Sequence, residues 1–173
     1  RPDYHESAMI SILASAWKAV GSFVHRFEPG IWYLTFIGFI NSAGFSLSLP
    51  YIALYLNQDR GIPMTIVGVL ILTTGLLSAL VQLASGALCD RFGRRPLLII
   101  SMATGTVLFG CMALLIEVTA PVWTIIAIYT GVRCAIMMAN PAIQAMIVDR
   151  SPRERLAEAN GLVRIGANLG WAL

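Results

Sequence analysis

Two groups of residues in this 173-residue chain have the types and spacing to do chemistry. The first lies in Gly86-Ala87-Leu88-Cys89-Asp90-Arg91-Phe92-Gly93-Arg94-Arg95-Pro96. Three guanidinium groups and one carboxylate within a few positions can pair with one another, meet phosphate, or satisfy helix C-termini. Asp90 and Arg94 are close enough in sequence to pair. Gly93 supplies backbone able to take positive φ, Gly86 permits close helix contact, and Pro96 suits the first turn of a following helix. A tight turn carrying a topology signal accounts for the same residues.

The second group is Tyr129, Arg133, Met137, Asn140 and Gln144, spaced four, four, three and four apart. On a helix they share one narrow stripe. Arg133 is the one charge in an otherwise apolar run, and a cation at the centre of a membrane helix costs about 2.5–3.5 kcal/mol to insert. Such a residue either works in a cavity or ties its helix to the carbonyls of neighbours. Two milder faces accompany it: Thr74, Ser78, Gln82 and Ser85, which suit helix packing beside Gly75 and Ala79, and Asn41, Phe45, Ser48 and Ile52, of which Asn41 and Phe45 could line a cavity or pack. Cys89, Cys111 and Cys134 show no paired or metal-ligand spacing, and His5 and His25 have no partners in the pattern. No paired carboxylates, Ser/His/Asp set or phosphate-cradling glycine loop is present, so neither an enzyme nor a cofactor or metal is expected.

The elements that must position these groups follow from where charge is absent. Charged residues make up 12% of the chain and hydrophobic ones 57%, against roughly 25% charged in an ordinary soluble domain. No charge falls between Glu28 and Asp59, Arg60 and Asp90, or Arg95 and Glu117. Each gap holds the 20 or so apolar residues that cross a hydrocarbon core about 30 Å thick. These predict helices near Ile31–Leu56, Met64–Cys89 and Pro96–Ile116; a fourth apolar run, Pro121–Val148, is broken only by Arg133, and Asn160–Leu173 has the composition of a fifth helix. The expected class is an all-α membrane protein. The chain opens on Arg1 and stops within an apolar run at Leu173, which reads as a fragment of a longer protein.

Lys and Arg mark the cytoplasmic side of short loops. Arg1, Lys18 and Arg26 precede the first helix; Arg91, Arg94 and Arg95 join the second and third; Arg150, Arg153 and Arg155 join the fourth and fifth. The opposite loops carry only Arg60, beside Asp59, and Glu117. The N-terminus is therefore expected in the cytoplasm, and the net charge of +3 needs no nucleic-acid partner. Residues 1–30 form a separate segment: Leu13, Trp17, Val20, Val24 and Phe27 recur on one side of a helix, which predicts an amphipathic element in the membrane interface. Residues 31–173 form the transmembrane part.

The string Gly86, Leu88, Asp90, Arg91, Gly93, Arg94, Arg95 meets every fixed position of the signature G-x-L-x-D-R-x-G-R-R/K, and here the chain resembles the major facilitator superfamily. Leu49–Leu56, Asn140–Asp149, and Arg155–Gly161 with Asn168–Gly170 are similar to that family's exits from helices 1 and 4 and its opening of helix 5. The resemblance implies a helical bundle of which this chain supplies the first four helices and the start of the fifth, with a missing C-terminal half as partner. It also implies alternating access about a central site. Asp90, Arg94 and Asp149 would be gating residues, with Arg133 coupling substrate or proton binding.

By the same resemblance, the expected function is secondary transport of small organic or amphipathic molecules, proton-coupled efflux across a bacterial inner membrane in the first instance. Uptake of a sugar or organic acid is the alternative, and a non-transporting helical scaffold is a further one. Drug/proton antiporters carry an arginine in helix 4 followed by Gln and Gly; here Cys134, Ala135, Ile136 and Met137 follow instead. No acidic residue lies inside helices 1 to 4, so coupling carboxylates are expected either in the part of the protein beyond this chain or at the cytoplasmic rim, as Asp90 and Asp149.

Overall fold

The computed structural model describes residues 26–172, and every element among them is helical. Helix α1 spans Pro29–Leu54 and continues through a π-helical turn, Tyr55–Asp59. It is followed by α2 (Met64–Phe92), α3 (Arg94–Glu117), α4 (Val122–Arg150), a 3-10 turn (Arg153–Arg155) and α5 (Leu156–Trp171). Four of these, counting α1 with its π turn, are long and apolar enough to cross a membrane. Of the amphipathic segment expected over residues 1–30, all but the last few residues lie outside those described.

Proline punctuates the starts. Pro29 occupies the first turn of α1, and Pro63 and Pro121 cap α2 and α4, positions where a missing N–H costs nothing. The helix ends differ from the sequence expectation at the charged end. Helix α2 runs past Cys89 to Phe92 and α3 begins at Arg94, so the connection is Gly93 alone. The arginines expected in a loop thus sit on helical turns. Arg91 falls in the last turn of α2, where the dipole favours a cation, whereas Arg94 and Arg95 open α3, where it does not. Gly93 has φ 89° and ψ 156°, a region open essentially to glycine alone.

Helix α5 lies along α1, while α2 and α3 both lie along α4. The α1–α5 contact depends on small residues. A Cβ on Gly166 would come within 2.7 Å of the Thr35 carbonyl oxygen, and one on Gly170 within 2.8 Å of the Ala43 nitrogen. Close backbone approach of this kind holds membrane helices together by van der Waals packing, since lipid provides no hydrophobic drive. On α2, the small hydroxyl residues Thr74, Ser78 and Ser85 are buried, and Thr74 Oγ1 lies 3.3 Å from Thr130 Oγ1 of α4. Gly86, expected at a close contact, faces open space among the described residues.

Two apolar clusters form the core. One, toward the arginine-rich end, joins Ile31, Leu34, Leu97, Leu98, Ala142, Ile147 and Leu162; the other joins Ile52, Leu56, Val67, Met112, Ile125 and Tyr129. Outside them, Leu76 on α2, Val107 on α3 and Trp123 on α4 are more than 60% exposed, as befits surfaces that meet lipid or further helices rather than water.

Candidate functional site

At the arginine-rich end, Arg94 reaches across from α3 to the last turns of α4. It forms an ion pair with Asp149 and donates from Nη1 to the Ala145 carbonyl oxygen at 3.1 Å. The sequence pairing of Arg94 with Asp90 is not what the fold selects: the single-residue turn sends the two side chains to different places, and Asp90 is exposed without an ion pair among the described residues. Asp90, Arg94, Arg95, Asp149 and Arg150 instead ring a cleft of about 540 Å³. The side chains of Arg94 and Asp149 are 41% and 52% exposed, so their pair contributes at most about 1 kcal/mol to stability. Its value lies in being easy to break and remake.

The other arginines here hold helix ends together. The Arg150 guanidinium lies over Gly30, leaving no room for a Cβ there. Arg155 donates from Nη1 to the Arg26 carbonyl oxygen at 3.1 Å, and Arg26 stands 3.9 Å from Glu158. Arg91 stacks on Phe92, 5.5 Å from the ring centroid. At the opposite end, Arg60 donates from Nε to the Tyr55 hydroxyl at 2.8 Å and from Nη2 to the Ala120 carbonyl, joining the two connections there.

Arg133 lies 11 residues from the start of α4 and 17 from its end, about 16 Å and 25 Å along the axis. Its guanidinium carbon stands 4.7 Å from the centroid of the Phe45 ring on α1, and Nη2 lies against Gly75 of α2. The Nε is buried with no acceptor among the described residues, and the buried Tyr129 hydroxyl lies close enough to the guanidinium to interact with it, though outside strict hydrogen-bond geometry. A buried donor left unmatched costs free energy unless water or a ligand meets it.

The rest of the predicted polar stripe divides along its length. Tyr129, 5% exposed, belongs to the apolar cluster rather than an open surface. Asn140 is half-buried, with Nδ2 3.5 Å from the Met137 sulfur, and Gln144 is exposed. The α1 pair also divides. Phe45 carries Arg133, whereas Asn41 turns toward α3, its Nδ2 3.4 Å from the Met102 sulfur. Both border a cleft of about 340 Å³ between α1, α3 and α4, lined also by Ser101, Gly105 and Ile136.

Sequence reasoning did not pick out Trp171. Its ring meets Phe45 edge-on, centroids 5.4 Å apart at 73°, while Ser46 donates to the Trp171 carbonyl oxygen at 3.2 Å. One phenyl ring therefore touches both the Arg133 guanidinium of α4 and the indole of α5. That contact depends on how α1 and α5 cross, which spacing along one helix does not reveal.

Helices of spanning length, packed through small residues around a half-buried cation partway along α4, define a multi-pass integral membrane protein. The family model described as Major Facilitator Superfamily matches residues 34–173, and the chain belongs to that superfamily, a family of secondary transporters. A search of curated proteins returns no match.

Proposed function

We propose that this chain forms part of a transporter that moves small organic or amphipathic molecules by alternating access, exporting them in exchange for protons. It would act with the second helical half that the family resemblance implies. The observation carrying this reading is Arg133: a cation deep in the bilayer, stacked on Phe45, with a buried donor unmatched within the chain. A purely structural arginine would spend its donors on neighbouring groups, as Arg60 does on the Tyr55 hydroxyl and the Ala120 carbonyl.

In this reading the Arg94–Asp149 pair is one half of a latch on the cytoplasmic face, the side that the arginine bias supports, of what we propose is a bacterial inner membrane. Asp90, exposed beside it, is the remaining half and awaits a partner from the second helical half. Asp90 and Asp149 are then the carboxylates best placed to exchange protons. The test is flux in proteoliposomes with an imposed pH gradient. Accumulation of an amphipathic substrate driven by protons moving the opposite way supports the proposal; flux that ignores the gradient removes proton exchange, and no flux of any solute removes the transporter reading.

A further inference from the structure

The polar positions of α5 carry an inference about the substrate, resting on the transporter reading above. Asn160, Arg164, Asn168 and Trp171 recur at spacings of four, four and three, so they share one flank of α5. The helix packs on α1 through a different face, that of Ala159, Leu162, Val163, Gly166 and Gly170. Arg164 is exposed, about 12 Å along the axis from the start of α5, and its guanidinium meets no acceptor among the described residues. Lipid is a poor environment for this flank: Arg164 could reach back toward the headgroups, but the exposed Asn168, a full turn deeper, could not.

Trp171 shows where the flank looks. Its ring meets Phe45, and Phe45 carries Arg133. The exposed side of α5 and the cationic stripe of α4 are thus joined through two aromatic rings, Trp171 and Phe45. The apolar segments around these rings supply two cations, Arg133 and Arg164, and no carboxylate, since no Asp or Glu occurs between Glu28 and Asp59, Arg60 and Asp90, Arg95 and Glu117, Pro121 and Val148, or Asn160 and Leu173.

We propose that Arg164, with the Asn168 carboxamide, is an anion subsite and that the transported molecules are amphipathic organic anions: a flat apolar body against Phe45 and Trp171, and a carboxylate or similar oxyanion on the guanidinium. Arg suits this role because its planar fork binds an oxyanion through two parallel hydrogen bonds.

The test measures binding of 2-naphthoate and its uncharged isostere 2-naphthamide to the purified full-length transporter by titration calorimetry. Naphthoate should bind about tenfold more tightly than naphthamide, Arg164→Gln should bring the two within about twofold, and Arg164→Lys should keep an intermediate preference. The inference is overturned if naphthoate has no advantage in the wild type, as when a carboxylate of the protein itself occupies Arg164, or if the advantage survives Arg164→Gln. Because binding is read without flux, Asp90→Asn, expected to stop transport, should leave the preference intact. A protein that transports without charge preference sinks this inference alone; one that binds naphthoate yet transports nothing sinks the transporter reading.

Discussion

Arg133→Leu separates stability from function more sharply than any other substitution in this bundle. The wild-type cation sits within the hydrocarbon by its position on α4, at an insertion cost of about 2.5–3.5 kcal/mol. Against that stands its contact with the Phe45 face, worth about 0.5–2 kcal/mol. The unmatched Nε adds nothing favourable. Leucine fills most of the same volume and packs on the same ring, so the variant should be between about 0.5 and 3 kcal/mol more stable than wild type. Flux per correctly inserted molecule should nevertheless fall at least about tenfold, because the only donor on that stripe able to meet a ligand or water with charge is gone. Arg133→Lys should insert normally and recover little transport, since an ammonium lacks the planar multi-donor head. The measurements are unfolding in graded denaturing detergent and flux normalised to inserted protein. Wild-type flux in the leucine variant would reduce Arg133 to packing, and a loss of stability above about 1 kcal/mol would show that the guanidinium holds the bundle together.

Four further outcomes follow from the geometry. Asp149→Asn or Arg94→Ala should change unfolding free energy by no more than about 1 kcal/mol, as for an exposed pair, yet impair flux strongly; normal transport at normal abundance would leave these residues as topology signals. Gly93→Ala should cost about 1–3 kcal/mol, because φ 89° with ψ 156° is strained for any side chain although space for a Cβ exists; unchanged thermal unfolding would mean the turn relaxes freely. Gly170→Val should separate α5 from α1, since even a Cβ there would meet the α1 backbone, and disulfide trapping between cysteines placed at 38 and 167, whose Cβ atoms would lie 3.9 Å apart, should fall in that variant but not in Gly161→Val, which faces open space. A cysteine at position 94 should resist a membrane-impermeant reagent added to intact cells while one at position 58 reacts, and the reverse pattern would invert the assigned orientation.

The long elements were legible because membrane helices announce themselves by what they lack. Each charge gap became a helix, and the spread of arginine gathered at one end of the bundle. Boundaries moved where charge and helix coexist: Arg91, Arg94 and Arg95 read as loop because they are hydrophilic, but a helix end projecting into the headgroups keeps its turns and satisfies its cations outside the hydrocarbon. Gly93 was read correctly as a positive-φ position, a local requirement that needs no knowledge of neighbours. Spacing alone favours Asp90 as the partner of Arg94, whereas the family resemblance groups Arg94 with Asp149; a turn of one residue, followed by a new helix direction, delivers the side chain to Asp149. Tyr129 and Gln144 share a stripe yet differ in burial, since other helices cover only part of α4's length. The Asn160–Arg164–Asn168 spacing was visible throughout, and only the contact of Trp171 with Phe45 gives that flank a direction.

These features divide the work of the bundle between two kinds of side chain. Along the helix lengths, the close contacts are made by groups with little or no charge: Gly166 and Gly170 on α1, Thr74 against Thr130, Ser78 and Ser85 buried along α2. Such contacts are short-ranged and lose most of their energy over a small displacement, so they favour helix pairs that move as units. The ionic groups, by contrast, are half-exposed at the rim or unmatched in the interior, where each can exchange one partner for another at modest cost. A transporter needs both properties at once: tightly packed groups, α1 with α5 and α2 and α3 with α4, and weak charged contacts at their edges whose rearrangement can shift the balance between two packings. Were the roles reversed, with strong buried ion pairs between helices and loose packing within them, a ligand of ordinary affinity could not move the equilibrium, since it shifts two states only by its differential affinity for them.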